Sequence, residues 1–366
     1  MAVEVAIAGA KALFVILLML QVMGLGVFFE RKVSAVIQDR IGANRASVFG
    51  FAGLGLVNTL LADPIKFLLK EDVFIAGADR FLHALAPCLS VLPALVSFAV
   101  IPFGDVLQVG DRAINLQAAP LNVGILYVLA MASLGVYGVV LAGWASNSRW
   151  SLLGGVRGSA QMISYEIAMG LSLIGVVLVY NTLDLQEIAR QQGHLIWGWL
   201  PAWGVLYQPI ALIIFLTAGI AESKRIPFDL PESESELVSG YFTEYSGSKQ
   251  SVFMMADFVE IAILAALVST FFFGGWQFPY LHRDGFHFPG GGFLAVPSLV
   301  VTVVQLVAFA VKLGIFCWLQ ILIRWSLPRI RYDHLMSFGW KKLLPVALVN
   351  LVVSAVVILL VQELPW

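Results

Sequence analysis

Eight apolar runs, roughly 8–29, 81–103, 121–143, 160–180, 203–221, 250–273, 297–322 and 343–362, are each about as long as a helix that crosses hydrocarbon. Backbone N–H and C=O groups find no water inside a bilayer, so runs of this kind commit a chain to helices. Only 12% of the residues are charged, against about 25% in soluble domains, which leaves too little polar surface for a soluble protein. The expected fold class is an all-α integral membrane protein: a single membrane domain over 1–366 with eight transmembrane helices. The N-terminal run is too long for a signal h-region and lacks a basic flank, so it reads as a retained first span.

The connections differ sharply in charge. Those after spans one, three, five and seven hold 17 Lys and Arg, and those on the other side hold 4, with Lys312 left inside the seventh run. By the positive-inside rule the richer side is cytoplasmic, so both termini face outward in a multi-pass protein. The segment 222–249 then faces the cytoplasm. It carries six carboxylates, Glu222, Asp229, Glu232, Glu234, Glu236 and Glu244, too many for Lys224 and Arg225 to neutralise. Acids at the mouth of a span are costly unless they pair, protonate or line water, so their density points to the handling of protons or cations.

The first cytoplasmic connection contains more than a link. Over 51–70, Leu54, Val57, Leu61, Ile65 and Leu68 gather on one helical face and Thr59, Asp63, Lys66 and Lys70 on the other. The pattern predicts an amphipathic helix in the interface, serving either as a surface anchor or as a lip over a cavity open to lipid. Pro64 should bend or divide it.

Within the spans, Glu166 lies a third of the way into the fourth with apolar neighbours on both sides. A carboxylate there costs about 2.5–3.5 kcal/mol on insertion scales, and a functional role is the default reading. Asp257 and Glu260 share a face of the sixth span, either as a coupled pair that stores a proton or as partners of a cation. Lys312 and Arg324 are the cations available to them, and acids alternating with a lysine and water form a common intramembrane proton relay. The other reading is a set of ion pairs that only orient helices. Glu30, followed by Arg31 and Lys32, reads as a snorkelling helix end or as part of a site.

Cys88 and Cys317 both fall in spans, and no histidine stands at haem or metal spacing, so no metal site, redox centre or cofactor is expected in this chain. The near-neutral net charge without a basic tract argues against nucleic acid.

The run Glu222-Ser-Lys-Arg-Ile-Pro-Phe-Asp-Leu-Pro-Glu-Ser-Glu-Ser-Glu-Leu-Val-Ser-Gly-Tyr241, followed by Thr243-Glu-Tyr-Ser246, resembles the signature of the H-subunit family of bacterial NADH:quinone oxidoreductase, respiratory complex I. Phe29-Glu-Arg-Lys32, Arg40-Ile-Gly-Ala-Asn-Arg45, Ala62-Asp-Pro-Ile-Lys66, Lys70-Glu-Asp72, Gly143-Trp-Ala-Ser-Asn-Ser148, Ser164-Tyr-Glu166 and Arg331-Tyr-Asp333 match in order. The resemblance implies a subunit of a proton-translocating enzyme that forms the membrane side of the quinone chamber, with the amphipathic helix and first span bordering the entrance for the quinone tail. It assigns Glu30, Arg31, Arg40, Arg45, Asp63, Arg225, Asp229, Glu232, Glu234 and Glu236 to the chamber. Glu166, Glu222, Asp257 and Glu260 fall to an inner proton relay, to which the residue pattern adds Lys312. No catalytic residue is implied. The resemblance further implies quinone as the substrate, FMN and iron–sulfur clusters in partner subunits, and a location in the bacterial cytoplasmic membrane. The family commonly has Pro where Ala43 stands, and some members carry a carboxylate in place of Ser133.

Three other readings stay open on the residues. One is the related membrane subunit of a hydrogenase or of a ferredoxin- or F420-linked dehydrogenase, and another is a stand-alone ion-coupled transporter. The third is an anchor that docks a soluble redox arm.

Overall fold

A computed structural model describes residues 2–42, 55–109, 112–196, 198–288 and 292–363. Among these, seven helices are long and apolar enough to cross a membrane. They include α1 (Ala2–Ile37), α3 (Arg80–Ser97, continued by a 3-10 turn over Phe98–Val100), α4 (Gly124–Ala145), α5 (Arg149–Tyr180), α10 (Gly247–Phe272) and α11 (Ser298–Ser326). The seventh is α13 (Leu344–Glu363), entered through α12 (Tyr332–Phe338) and a π turn over Gly339–Leu343. The short helices between them are α2 (Gly55–Leu69), α6 (Leu185–Gln191), α7 (Gly204–Tyr207), α8 (Pro209–Glu222) and α9 (Glu234–Leu237).

The run 203–221, expected as one span, is divided. Gln208 leaves helical geometry at φ −134° and ψ 56°, and Pro209 opens the 14-residue α8. A proline disfavours helical backbone in the residue before it, which is why the break falls there. At 1.5 Å per residue α8 is about 21 Å long, short of the roughly 30 Å hydrocarbon core. Two other helices overrun their expected bounds on the acidic-loop side. α1 continues to Ile37, placing Glu30 inside the helix instead of at its end, and α5 begins at Arg149.

The predicted amphipathic helix forms as α2, one continuous helix that contains Pro64 without dividing; residues 51–54 of that prediction lie outside the described residues. Leu61, Ile65 and Leu68 point away from the protein. On its inner side Leu60 abuts Gly24 of α1, where a Cβ would displace the leucine methyl, and Asp63 accepts a 2.7 Å hydrogen bond from Arg31 of α1.

The core between α3, α5, α8 and α10 is built from Phe98, Tyr165, Phe215, Phe271 and Phe272, all essentially inaccessible. α5 approaches α4 where Gly143 and Gly155 meet, and a Cβ on Gly143 would lie 2.6 Å from the Ser151 carbonyl. At the face opposite the acidic loop, Val106–Val109 and Arg112–Asn115 form a hairpin (β1, β2). Leu195–Ile196 pairs with Leu200–Pro201 (β3, β4). Leu281–His282, Gly285–His287 and Phe293–Ala295 form a small antiparallel sheet (β5 to β7).

One polar knot ties that face together. Buried Asp105 accepts from Arg190 Nη2 at 2.8 Å, from Arg283 Nε at 2.5 Å and from Gln186 Nε2 at 3.4 Å, while its backbone N–H donates to Gln305 Oε1 at 3.1 Å. Burial would raise its pKa, but the two guanidiniums outweigh that and hold the carboxyl below the usual range.

Candidate functional site

The acidic segment returns into the bundle instead of projecting from it. Gln161 of α5, itself buried, donates to the carbonyls of Ala221 at 2.6 Å and Phe228 at 2.7 Å, pinning both ends of the turn that leaves α8. A second fixing point is Gly154, where a Cβ would sit 2.6 Å from the Tyr241 nitrogen. Only backbone without a side chain can lie that close to the segment.

Three clusters of charge result. In the first, Glu30 of α1 is buried and accepts from Arg225 Nη1 at 3.3 Å and from Arg324 of α11. The Arg225 guanidinium also lies 4.5 Å from the centre of the Phe258 ring, which favours a cation over the aromatic face. In the second, Lys224, 1% exposed, donates to both oxygens of Glu260 at 3.2 Å. Its Nζ lies 3.3 Å from Asp257 Oδ1, near enough for an ion pair without the alignment of a hydrogen bond. Burial disfavours the ammonium, but Glu260 and Asp257 more than offset this and hold it above the ordinary lysine range. In the third, Asp229 accepts from Arg329 Nη2 at 2.8 Å. Burial still pushes its carboxyl up to about 6 against the pull of Arg329, and burial, with Asp257 and Asp229 nearby, likewise raises Glu232 well above the carboxylate range.

Two cavities meet these clusters. The larger, about 580 Å³, runs between α1, α10 and α11 from Phe14 and Phe103 to Phe29 and Trp318, and no charged side chain lines it. Through Ile261 and Ile321 it shares walls with a small pocket lined by Glu30, Arg225 and Arg324. The span from Phe14 to Phe29 along α1 is about 22 Å, a length suited to a chain-like apolar group. The second cavity, about 70 Å³, is enclosed by α3, α4, α5, α8 and α10, with Glu222, Glu260, Ser90, Ser97 and Ser223 in its wall. That is room for several waters. Glu166 sits one turn from Met162 of that wall and accepts from Ser133 of α4.

Of the residues singled out in the sequence, the structure brings together Glu30, Arg225, Asp229, Glu232, Asp257 and Glu260, and places Glu222 and Glu166 on the inner cavity and beside it. Arg31 and Asp63 pair with each other at the lip formed by α2. Glu234 and Glu236 are exposed, with Glu236 bonded to Arg157 at 2.7 Å. Arg40 is exposed and bonds Gln38, while Arg45 and Ala43 lie outside the described residues.

Lys312 does not join the acids. Its ammonium donates to the carbonyls of Phe273, Gly275 and Gln277 at 2.6–2.9 Å and lies over the Trp203 ring, about 20 Å along α10 from Glu260. Phe273 caps α10 and Gly275 and Gln277 lie in the turns that follow, so the ammonium fastens the chain where it leaves the helix. Arg324, expected near the α10 acids, serves Glu30 instead. Lys224, Arg329 and Gln161 are the positions that sequence reasoning passed over. Lys224 stood in view as the cation two residues beyond Glu222.

The sequence profile described as NADH dehydrogenase matches residues 10–355. The chain is 45% identical over 361 residues to the second of the NADH-quinone oxidoreductase H subunits of Geobacter sulfurreducens, covering 98% of this chain and 99% of that one. It is 42% identical to the first of the corresponding H subunits of Cytophaga hutchinsonii over 91% of both chains, and 43% identical to the H subunit of Thermomicrobium roseum over 94% of both. With the profile spanning nearly the whole chain and full-length relatives at this identity, the chain belongs to the NADH dehydrogenase family that contains the NADH-quinone oxidoreductase H subunits.

Proposed function

We propose that this chain is the membrane subunit of a proton-translocating NADH:quinone oxidoreductase, forming part of the quinone chamber and coupling quinone reduction to proton transfer through buried carboxylates. The observation that carries this reading is the apolar 580 Å³ cavity between α1, α10 and α11, whose wall passes directly into the Glu30, Arg225 and Arg324 cluster. A quinone has a small polar head and a long apolar tail. A site that accepts it needs an apolar channel ending in a few convergent polar groups.

The electrons come from partner subunits that hold FMN and iron–sulfur clusters, and the quinone takes up two electrons and two protons. Negative charge developing near Glu30, Arg225 and Asp229 acts through a medium of low dielectric, where its reach is far greater than in water. The proton affinity of Asp229 and Glu232 rises in response. Asp257 and Glu260, held by Lys224, pass the change to Glu222 across the water-sized cavity, and Glu166 carries it to the α4 side. Lys312 stands apart from this route, as the anchor of the α10 end. Eight membrane crossings, with α7 and α8 together making the fifth, and both termini on the outer side of the bacterial cytoplasmic membrane complete the reading. The charge asymmetry of the connections supports that orientation.

Glu166→Gln and Asp229→Asn in the assembled enzyme test the coupling. Each should lower NADH-driven proton pumping several-fold while the complex still assembles on a native gel. If both variants keep full quinone reduction and full pumping, the relay is refuted.

A further inference from the structure

The Gly240–Phe242 turn sets one buried side chain, Tyr241, against the stretch of α10 that leads to Asp257 and Glu260. On one flank Gly240, at φ +59°, presses against the Pro231 carbonyl, and a Cβ there would lie 3.0 Å from the Glu232 Cα. On the other flank the Tyr241 ring meets Phe253 of α10 edge-on, with centroids 5.4 Å apart, one helical turn before Asp257. Tyr241 thus follows a glycine pressed on the Pro231–Glu232 backbone, and its ring packs in a cluster with Val139, Ala142 and Met162 against the turn of α10 that precedes Asp257. It is fully buried, and its hydroxyl has no hydrogen-bond partner among the described residues. Asp229 Oδ1, Asp257 Oδ1 and the Ser233 hydroxyl are likewise buried without hydrogen bonds. An orphaned buried hydroxyl is costly to fold in, so such an atom calls for a role.

We propose that Tyr241 is the hydroxyl link between the loop carboxylates Asp229 and Glu232 and the α10 carboxylates Asp257 and Glu260, passing protons between the pairs with bridging water. A proton released by the Glu232 carboxyl reaches the phenol oxygen as the phenol's own proton leaves toward the Asp257 carboxylate. One O–H bond forms as another breaks, and the phenol ends as it began. Burial, with Asp257 and Glu232 close by, keeps the hydroxyl protonated far above the usual tyrosine range, so it serves as a conduit and never as a charge store. The charged groups acting on it are Asp229 and Glu232 from the loop and Asp257 and Glu260 from α10. α4 carries none, and α5 carries Arg149, Glu166 and Arg157, the last engaged by Glu236.

The inference rests on the proposed relay, and the test separates the two. Tyr241→Phe removes one oxygen and keeps the ring packing, and Asp257→Asn serves as the control, both in the assembled complex in proteoliposomes. A positioned proton donor is worth about a hundredfold when proton transfer limits the rate, and roughly tenfold is expected where other steps share control. Coupled NADH oxidation should therefore fall about tenfold in Tyr241→Phe, with less pumping per NADH. Full coupling in Tyr241→Phe with loss in Asp257→Asn overturns the Tyr241 link and leaves the relay standing, whereas full coupling in both overturns the relay as well. Should Tyr241→Phe fail to assemble, 3,5-difluorotyrosine at 241 decides the matter. It keeps the ring and its contacts but acidifies the phenol, which changes the barrier to each proton transfer, so coupled NADH oxidation and its solvent deuterium isotope effect should both change. A protein carrying it that matches the native one in both refutes the proposal.

Discussion

Lys224 has two carboxylates within 3.3 Å and almost no access to solvent, which makes it the residue on which the buried charge balance turns. Removing one partner of a buried ionic group leaves the others uncompensated, typically at 3–5 kcal/mol. Lys224→Met should therefore lower the thermal unfolding midpoint of the purified complex markedly, and Lys224→Met with Glu260→Gln should recover part of the loss. A single variant that melts like the native protein would show that water already screens the cluster. Glu166, Asp257 and Glu260 were legible in the sequence because a carboxylate in an apolar run has few innocent explanations. Their cations were less so. Arg329 lies 100 residues from Asp229 along the chain, and no local pattern links the two. Lys312 fitted a relay on composition alone, but an isolated ammonium in an apolar run can turn to carbonyls as readily as to acids, and it does so just past the end of α10.

The membrane helices show why existence was easier to read than extent. Hydrophobic length marks the part of a helix that lies in lipid, whereas α1 and α5 continue beyond it on hydrogen bonding and packing that leave no hydropathic trace. The small sheets went unread for a related reason, since strands of two to four residues carry too few alternations to register. Close packing can still be tested at one element. α5 meets the acidic segment at Gly154, where added bulk strikes the backbone of Gly240 and Tyr241. Overpacking of this kind costs about 1–3 kcal/mol. Gly154→Val should displace the segment, which limited proteolysis would detect as faster cleavage within 225–241. Equal protection of variant and native protein would contradict the packing described.

At the scale of the whole molecule, opposing titrations shape the response to pH. The Asp229 carboxyl, raised to about 6 from an ordinary 3.8, binds its proton more readily in the folded chain. Its contribution to stability is therefore greatest below 3.8, declines as pH climbs to about 6 and is flat above, with a swing on the order of 2–3 kcal/mol. Glu232 acts in the same direction. Asp105, lowered by Arg190 and Arg283, acts in the opposite one, and its contribution is lost as the medium turns acid. Asp229→Asn should thus flatten the unfolding midpoint against pH between about 4 and 6, as followed by scanning fluorimetry. An unchanged slope would mean that Asp229 does not titrate in that window.

The Asp105 knot has a mechanical meaning as well. It clamps together side chains from the hairpin region, from α6 and from the 281–287 sheet, and receives Gln305 of α11. A bundle fastened at one end behaves as a set of levers with a common fulcrum. Over a hydrocarbon depth of roughly 30 Å, a tilt of about 3° at that fulcrum sweeps the far tips by some 1.5 Å, as much as separates a made hydrogen bond from a broken one.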